Sequence, residues 1–169
     1  MVYASKNDVL FVSSAGNEGL DIDIKPSFPN DQKNGLEIID TYLSVGAINS
    51  KYGSNLVASY SNYGKINVDV FAPGSQIYSP KPNNKYDFID GTSFAAPAVS
   101  GVAALIRSYY PKLNAAQVKQ VIMSSGLQLK TKVTVPGVQN SVKSFGELSK
   151  SSKLVNAYNA LIMASKLSN

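Results

Sequence analysis

The sequence predicts an α/β fold built on a mostly parallel sheet, and three features carry that prediction. Two short apolar runs, Val9-Leu10-Phe11-Val12 and Tyr42-Leu43-Ser44-Val45-Gly46-Ala47-Ile48, read as core strands, and continuous apolar runs of this kind mark parallel sheets. The first run ends in Ser13-Ser14-Ala15-Gly16-Asn17-Glu18-Gly19, small and turn-forming residues at the carboxyl end of a strand, where open α/β sheets form their sites. Segments of helical period follow, the first of them nearly all apolar.

In chain order, residues 1–7 are neither a signal peptide nor a polar tail, and the first strand follows at once. Residues 21–34, polar and broken by Pro26 and Pro29, form a surface loop. Its acids Asp21, Asp23 and Asp31 lack the spacing of a calcium-binding loop and are read as solvated. Residues 51–65 are turn-rich, and Val68-Asp69-Val70-Phe71 makes a third strand closed by Ala72-Pro73-Gly74. Residues 80–84 form an exposed connection.

Residues 94–106 are apolar or small throughout, so this helix has no polar face and is expected inside the fold. Pro111 stops it. Asn114 caps the next helix with Gln117 as its capping-box partner, Leu113 and Val118 form a staple, and Gly126 is placed at C′. Alternation at Leu127, Leu129, Val133 and Val135 predicts a strand, and the Ser- and Lys-rich stretch to Lys153 a loop. A last helix starts near Leu154, with Leu154, Tyr158, Leu161 and Ile162 on one face.

Composition removes several function classes. The net charge of +5 comes from scattered lysines with no arginine cluster, which describes a solvated face and not a nucleic-acid surface. The apolar run at 94–106 is shorter than the ~20 residues a bilayer requires, so no membrane span is expected. Without cysteine there are no disulfides or thiolate metal sites, and no cofactor or metal is expected. Without histidine the chain also lacks the commonest general base.

The chemistry centres on Gly91-Thr92-Ser93-Phe94-Ala95-Ala96-Pro97. Ser93 stands at a helix N-terminus, where free N–H groups and the helix dipole favour developing negative charge. Pro97 cannot donate to the Ser93 carbonyl, which loosens the first turn. By itself a Thr-Ser pair there reads as an N-cap and no more. Acyl transfer needs a hydroxyl, a base and donors for an oxyanion. The Asn17 amide and the Ser93 backbone N–H are the candidate oxyanion donors, although an isolated Asn17 between two glycines is also a plain turn residue.

The motifs Ser14-Ala15-Gly16-Asn17-Glu18-Gly19, Val57-Ala58-Ser59-Tyr60-Ser61-Asn62-Tyr63-Gly64, Val68-Asp69-Val70-Phe71-Ala72-Pro73-Gly74 and Gly91-Thr92-Ser93-Phe94-Ala95-Ala96-Pro97 occur in the order found in subtilisin-like serine peptidases. Leu154-Val155-Asn156-Ala157-Tyr158 resembles the element that closes the catalytic domain in bacterial members. The resemblance implies a three-layer α/β fold, Ser93 as nucleophile, Asn17 as oxyanion-hole amide, and Ser14, Ala15 and Gly16 lining the pocket for the side chain before the scissile bond. In that family the triad runs Asp, His, Ser, and the first two members are missing here. Phe94 and Ala98 stand where many relatives carry Met and His, a change expected to adjust packing.

These readings give one partial catalytic domain over residues 1–169, the C-terminal half without its Asp/His half. The expected activity is peptide-bond hydrolysis through an acyl-enzyme on Ser93, silent in the isolated chain. A non-catalytic peptide-binding module and a fragment complemented by a separate Asp/His chain are the alternatives. The partner is a polypeptide substrate or peptide ligand, and the strand at 9–12, having lost a neighbour, invites self-association along its edge. Family habit implies a secreted or cell-envelope protein.

Overall fold

A computed structural model describes residues 1–168. The elements are α1 (Val2–Lys6), β1 (Phe11–Ser14), β2 (Gln32–Lys33), β3 (Leu36–Glu37), β4 (Tyr42–Ile48), β5 (Val70–Pro73), β6 (Ile77–Lys81) and β7 (Lys85–Ile89). They are followed by α2 (Thr92–Tyr109), α3 (Ala115–Ser125), β8 (Leu127–Gln128), β9 (Lys132–Thr134), β10 (Val142–Ser144), a 3-10 turn (Phe145–Glu147), β11 (Lys153–Leu154) and α4 (Ala157–Leu167). The main sheet runs β1-β4-β5-β11-β8, parallel except for β8. The predicted α/β class with a mostly parallel sheet is the one observed.

Alternation along the strands divides the core in two. Leu43, Val45 and Ala47 of β4, with Val70 and Ala72 of β5, meet Val99 and Ile106 of α2, Val118 and Ile122 of α3, and Ala160 of α4. On the other face Phe71 packs on Phe145, ring centroids 5.3 Å apart, beside Val68, Val133 and Leu148. Gly46 is required there because a Cβ would come 2.4 Å from the Phe71 ring. Loops and the β9–β10 hairpin supply this second layer, so the Ser- and Lys-rich stretch is more structured than its composition predicts. Its anchors are Phe145 and Leu148, both fully buried, and Lys65, whose Nζ donates to the Gly146 and Ser149 carbonyls.

Several expectations are corrected. The first strand begins at Phe11 and not at Val9; it stands at the sheet edge that its expected lost neighbour implied, with Val9 and Phe11 exposed. Residues 1–7 open with the short helix α1. The connection at 80–84 is the tip of a β6–β7 hairpin: Asn83 and Asn84 both adopt positive φ, the backbone that tight hairpin turns need. Residues 127–135 split into β8 and β9, which join different sheets. Gly126 has φ −58°, so it is no left-handed cap; its lack of a Cβ instead admits the Leu154 carbonyl. The capping box of Asn114 and Gln117 forms as predicted. In α4 the inner face is Ala160 and Ala164, while Tyr158 points outward, because small residues let the helix sit close.

The helix α2 is buried along one face only. Ala95, Val99, Ala103 and Ile106 face the sheet, whereas Pro97, Ala98, Gly101, Ala104 and Leu105 are exposed. A helix apolar all round that has only one side covered leaves a surface built for contact.

Among the described residues one charged pair lies inside. Asp69 accepts from the Ser44 N–H at 2.8 Å and faces Lys119 Nζ at 3.4 Å, both side chains buried. Burial pushes the Asp69 carboxyl up to about 6, outweighing the opposing pull of Lys119. An acid whose folded value is raised favours the fold below its unfolded value, and that contribution is lost as pH rises through the folded value. The stability of the native chain relative to Asp69→Asn is therefore expected to fall by about 2 kcal/mol between about pH 4 and pH 7, read from urea unfolding of both proteins at each pH.

Candidate active site

The start of α2 is where the predicted residues meet. Its N-cap is Gly91, which has no side chain to satisfy the first free N–H groups. Asn17 does so from the loop after β1: its Oδ1 accepts from the Thr92 N–H at 2.9 Å and from the Thr92 hydroxyl at 2.8 Å. The Thr92 oxygen in turn accepts from the Gly16 N–H at 3.3 Å. With Oδ1 engaged, the amide orientation is fixed and Nδ2 is left as a donor. A Cβ placed on Gly91 would lie 3.8 Å from Asn17 Nδ2 and 3.7 Å from the Ser93 nitrogen. Two N–H donors thus border one small space, and the Ser93 side chain beside it is exposed. The cap is provided across the fold by Asn17 and not by a serine or threonine at the N-cap position.

Asn62, which the sequence gave no individual role, holds the Asn17 loop. It is 1% exposed. Its Nδ2 donates to the Ala15 carbonyl and Glu18 Oε2, while its Oδ1 accepts from the Glu18 and Leu20 N–H groups. Gly16, at φ +105°, packs so closely on it that a Cβ would fall 2.3 Å from Nδ2. Tyr60 performs the same task at Gly91, its hydroxyl accepting the Gly91 N–H at 3.0 Å and lying 2.8 Å from the Gly74 carbonyl. Burial raises the Tyr60 phenol above its ordinary value, keeping it protonated as a donor.

The loop is also braced from behind. Gly19 and Gly137 meet backbone to backbone, both at positive φ, and a Cβ on Gly137 would lie 2.2 Å from the Gly19 carbonyl oxygen. Gly137→Ala is expected to destabilise the chain by about 1–3 kcal/mol, a loss in melting temperature readable by circular dichroism.

Ser14, Ala15 and Gly16 do not enclose a side-chain-sized pocket. Ser14 and Ala15 line a cavity of about 10 Å³, room for about one water, because β1 is an edge strand with its outer side open. Nor, among the described residues, is there a base at hand. The chain has no histidine, Glu18 is held by Asn62, and Asp90 Oδ1 accepts from the Gln76 N–H at 2.6 Å. Asp23 is likewise engaged, accepting from the Ile66 and Asn67 N–H groups.

The model of the subtilase family matches residues 2–147. The chain belongs to that family. Among its relatives, subtilisin DY of Bacillus licheniformis is 42% identical over 90 residues, covering 53% of this chain and 31% of that protein. The major intracellular serine protease of Bacillus subtilis strain 168 is 41% identical over 106 residues, 63% of this chain and 30% of the relative. The self-cleaved protease domain of PatA superposes with TM-score 0.67 at 25% identity, covering 98% of this chain and 53% of that one. A protease from Pseudoalteromonas arctica gives TM-score 0.69 at 25% identity, over 96% of this chain and 45% of that chain. This subtilase chain therefore spans about a third of the length of these two relatives and about half that of these two solved structures. No described helix is long and apolar enough to cross a membrane.

Proposed function

We propose that this chain contributes the nucleophile and oxyanion half of a serine endopeptidase, and that an Asp- and His-bearing segment completes it. The observation that carries the reading is the double hydrogen bond from Thr92 to Asn17 Oδ1, which leaves Asn17 Nδ2 and the Ser93 N–H bordering one space. In the reaction Ser93 Oγ bonds to the scissile carbonyl carbon, its proton passes to the supplied histidine, and the negative oxygen occupies that space. Collapse expels the amine, which takes the proton back from the histidine, leaving an acyl-enzyme that water hydrolyses to the acid and free Ser93.

The segment has a physical seat. A groove of about 450 Å³ runs between β1 and α2, lined by Val9, Phe11, Ala104 and Arg107 among others, and continues onto the exposed side of α2. A parallel strand added at β1 satisfies its free backbone groups and gives Ser14–Gly16 the opposite wall that a side-chain pocket needs. Without that segment the chain is silent, since triad members act as a unit. Co-expression with a segment carrying both residues is expected to give a one-to-one complex with peptidase activity. A stable homodimer of the chain that refuses the segment contradicts this seat. A secreted or cell-envelope location is part of the proposal and rests on family habit. One bacterial relative is intracellular by its name, so cell fractionation decides the point.

A further inference from the structure

A second cleft, of about 700 Å³, has no part in the steps above. It opens beyond the carboxyl ends of β4 and β5, lined by Lys51, Val57, Ser75 and Gln76, and is closed on its far side by Val135 and Val138. Both walls are tied to the helix mouth. The Ser75 hydroxyl lies 2.8 Å from that of Tyr60, which accepts the Gly91 N–H. The opposite wall carries Gly137, whose backbone abuts Gly19 in the Asn17 loop.

The order of the sheet gives the cleft a direction. Ser14–Gly16 lie at the carboxyl end of the edge strand β1, with β4 and then β5 on the inner side. A polypeptide that presents the residue before its scissile bond at Ser14–Gly16, and its carbonyl between Asn17 and Ser93, leaves the helix mouth toward β4 and β5. We propose that this cleft binds the leaving side of the substrate, selecting an apolar residue followed by acidic ones. Its apolar lining is Val57, Val135, Pro136 and Val138, and Lys51 is the single charged residue among those that line it. No acid is among the lining residues, and Asp90 beside the Gln76 wall has its Oδ1 taken by the Gln76 N–H, so the exposed Lys51 ammonium attracts a carboxylate and disfavours a lysine.

This inference rests on the peptidase reading for its direction, so its test reads binding and not hydrolysis. The probes are two fluorescein-labelled hexapeptides with free amino termini, one carrying Leu followed by Asp-Glu and the other Leu followed by Lys-Lys. Titrated with the 169-residue chain, the acidic peptide is expected to bind at least about tenfold more tightly by anisotropy. Lys51→Glu should reverse that order, and Val138→Asp should weaken the acidic peptide about tenfold or more. Lys51 and Val138 are exposed, so both variants keep the fold, which circular dichroism verifies. Absence of saturable binding, or a preference that Lys51→Glu leaves unchanged, overturns the assignment. Charge-reversed binding supports it whether or not the chain is ever seen to hydrolyse a peptide.

Discussion

Supplying an Asp- and His-bearing segment is expected to raise kcat for peptide hydrolysis on the order of 10⁶-fold, the loss that removal of the base alone produces in subtilisin itself. The expectation follows from what the chain lacks. Its nucleophile candidate is exposed and the Asn17 amide and Ser93 N–H border one space beside it, but it contains no histidine. The acids beside Asn17 and Gly91 in sequence are bound to Asn62 and Gln76. A serine hydroxyl without a base is almost wholly protonated at neutral pH, and oriented donors cannot replace the missing proton acceptor. The gain should appear in kcat, should vanish with Ser93→Ala, and should not follow from a segment in which the histidine is replaced by alanine.

Asn17→Ala in the complemented enzyme is expected to lower kcat by about 10²–10³ with KM little changed, the scale on which one oxyanion donor counts in subtilisin. Steady-state kinetics separate the two parameters. Here the residue has a second duty, since Asn17 Oδ1 caps the first N–H of α2. Its loss therefore carries a stability cost of about 1 kcal/mol as well, visible in the melting temperature. Thr92→Val separates these duties. It keeps the N–H that Asn17 caps but removes the hydroxyl that also fixes Oδ1, so kcat should fall by less than in Asn17→Ala while KM is unchanged. Equal losses of kcat and stability across both variants would mean that Asn17 is a cap and nothing more.

How much of this was legible in the sequence depended on how local each interaction is. The capping box of Asn114 and Gln117 involves partners three residues apart, and pattern alone found it. The strand at Tyr42–Ile48 is apolar along its length because both of its faces are covered, so its bounds were legible too. Ser93 and Asn17 were recognised as candidates, but the bond network between them was not, because Thr92 reaches Asn17 across 75 positions. Asn62 was invisible for the same reason: its side-chain partners lie 42 to 47 residues away. The covered side of α2 was also beyond sequence. A helix without a polar face has no periodicity to announce which side meets the sheet, and the exposed Pro97, Ala98, Gly101, Ala104 and Leu105 are as apolar as their buried neighbours. In α4 the large residues suggested an inner face, yet close packing selected Ala160 and Ala164. Only at Asn83-Asn84 was a usable local signal passed over, since paired asparagines suit the left-handed turn of the β6–β7 hairpin.

We propose Ser93 as a nucleophile whose oxyanion donors are in place and whose base is not. A fluorophosphonate probe followed by peptide mass spectrometry tests it directly, because the probe reports activated serines without requiring a matched substrate. No labelling of the isolated chain above a Ser93→Ala control is expected, and stoichiometric labelling confined to Ser93 once the Asp- and His-bearing segment is bound. Rapid labelling of Ser93 in the chain alone, or labelling of a different serine in the complex, would contradict it.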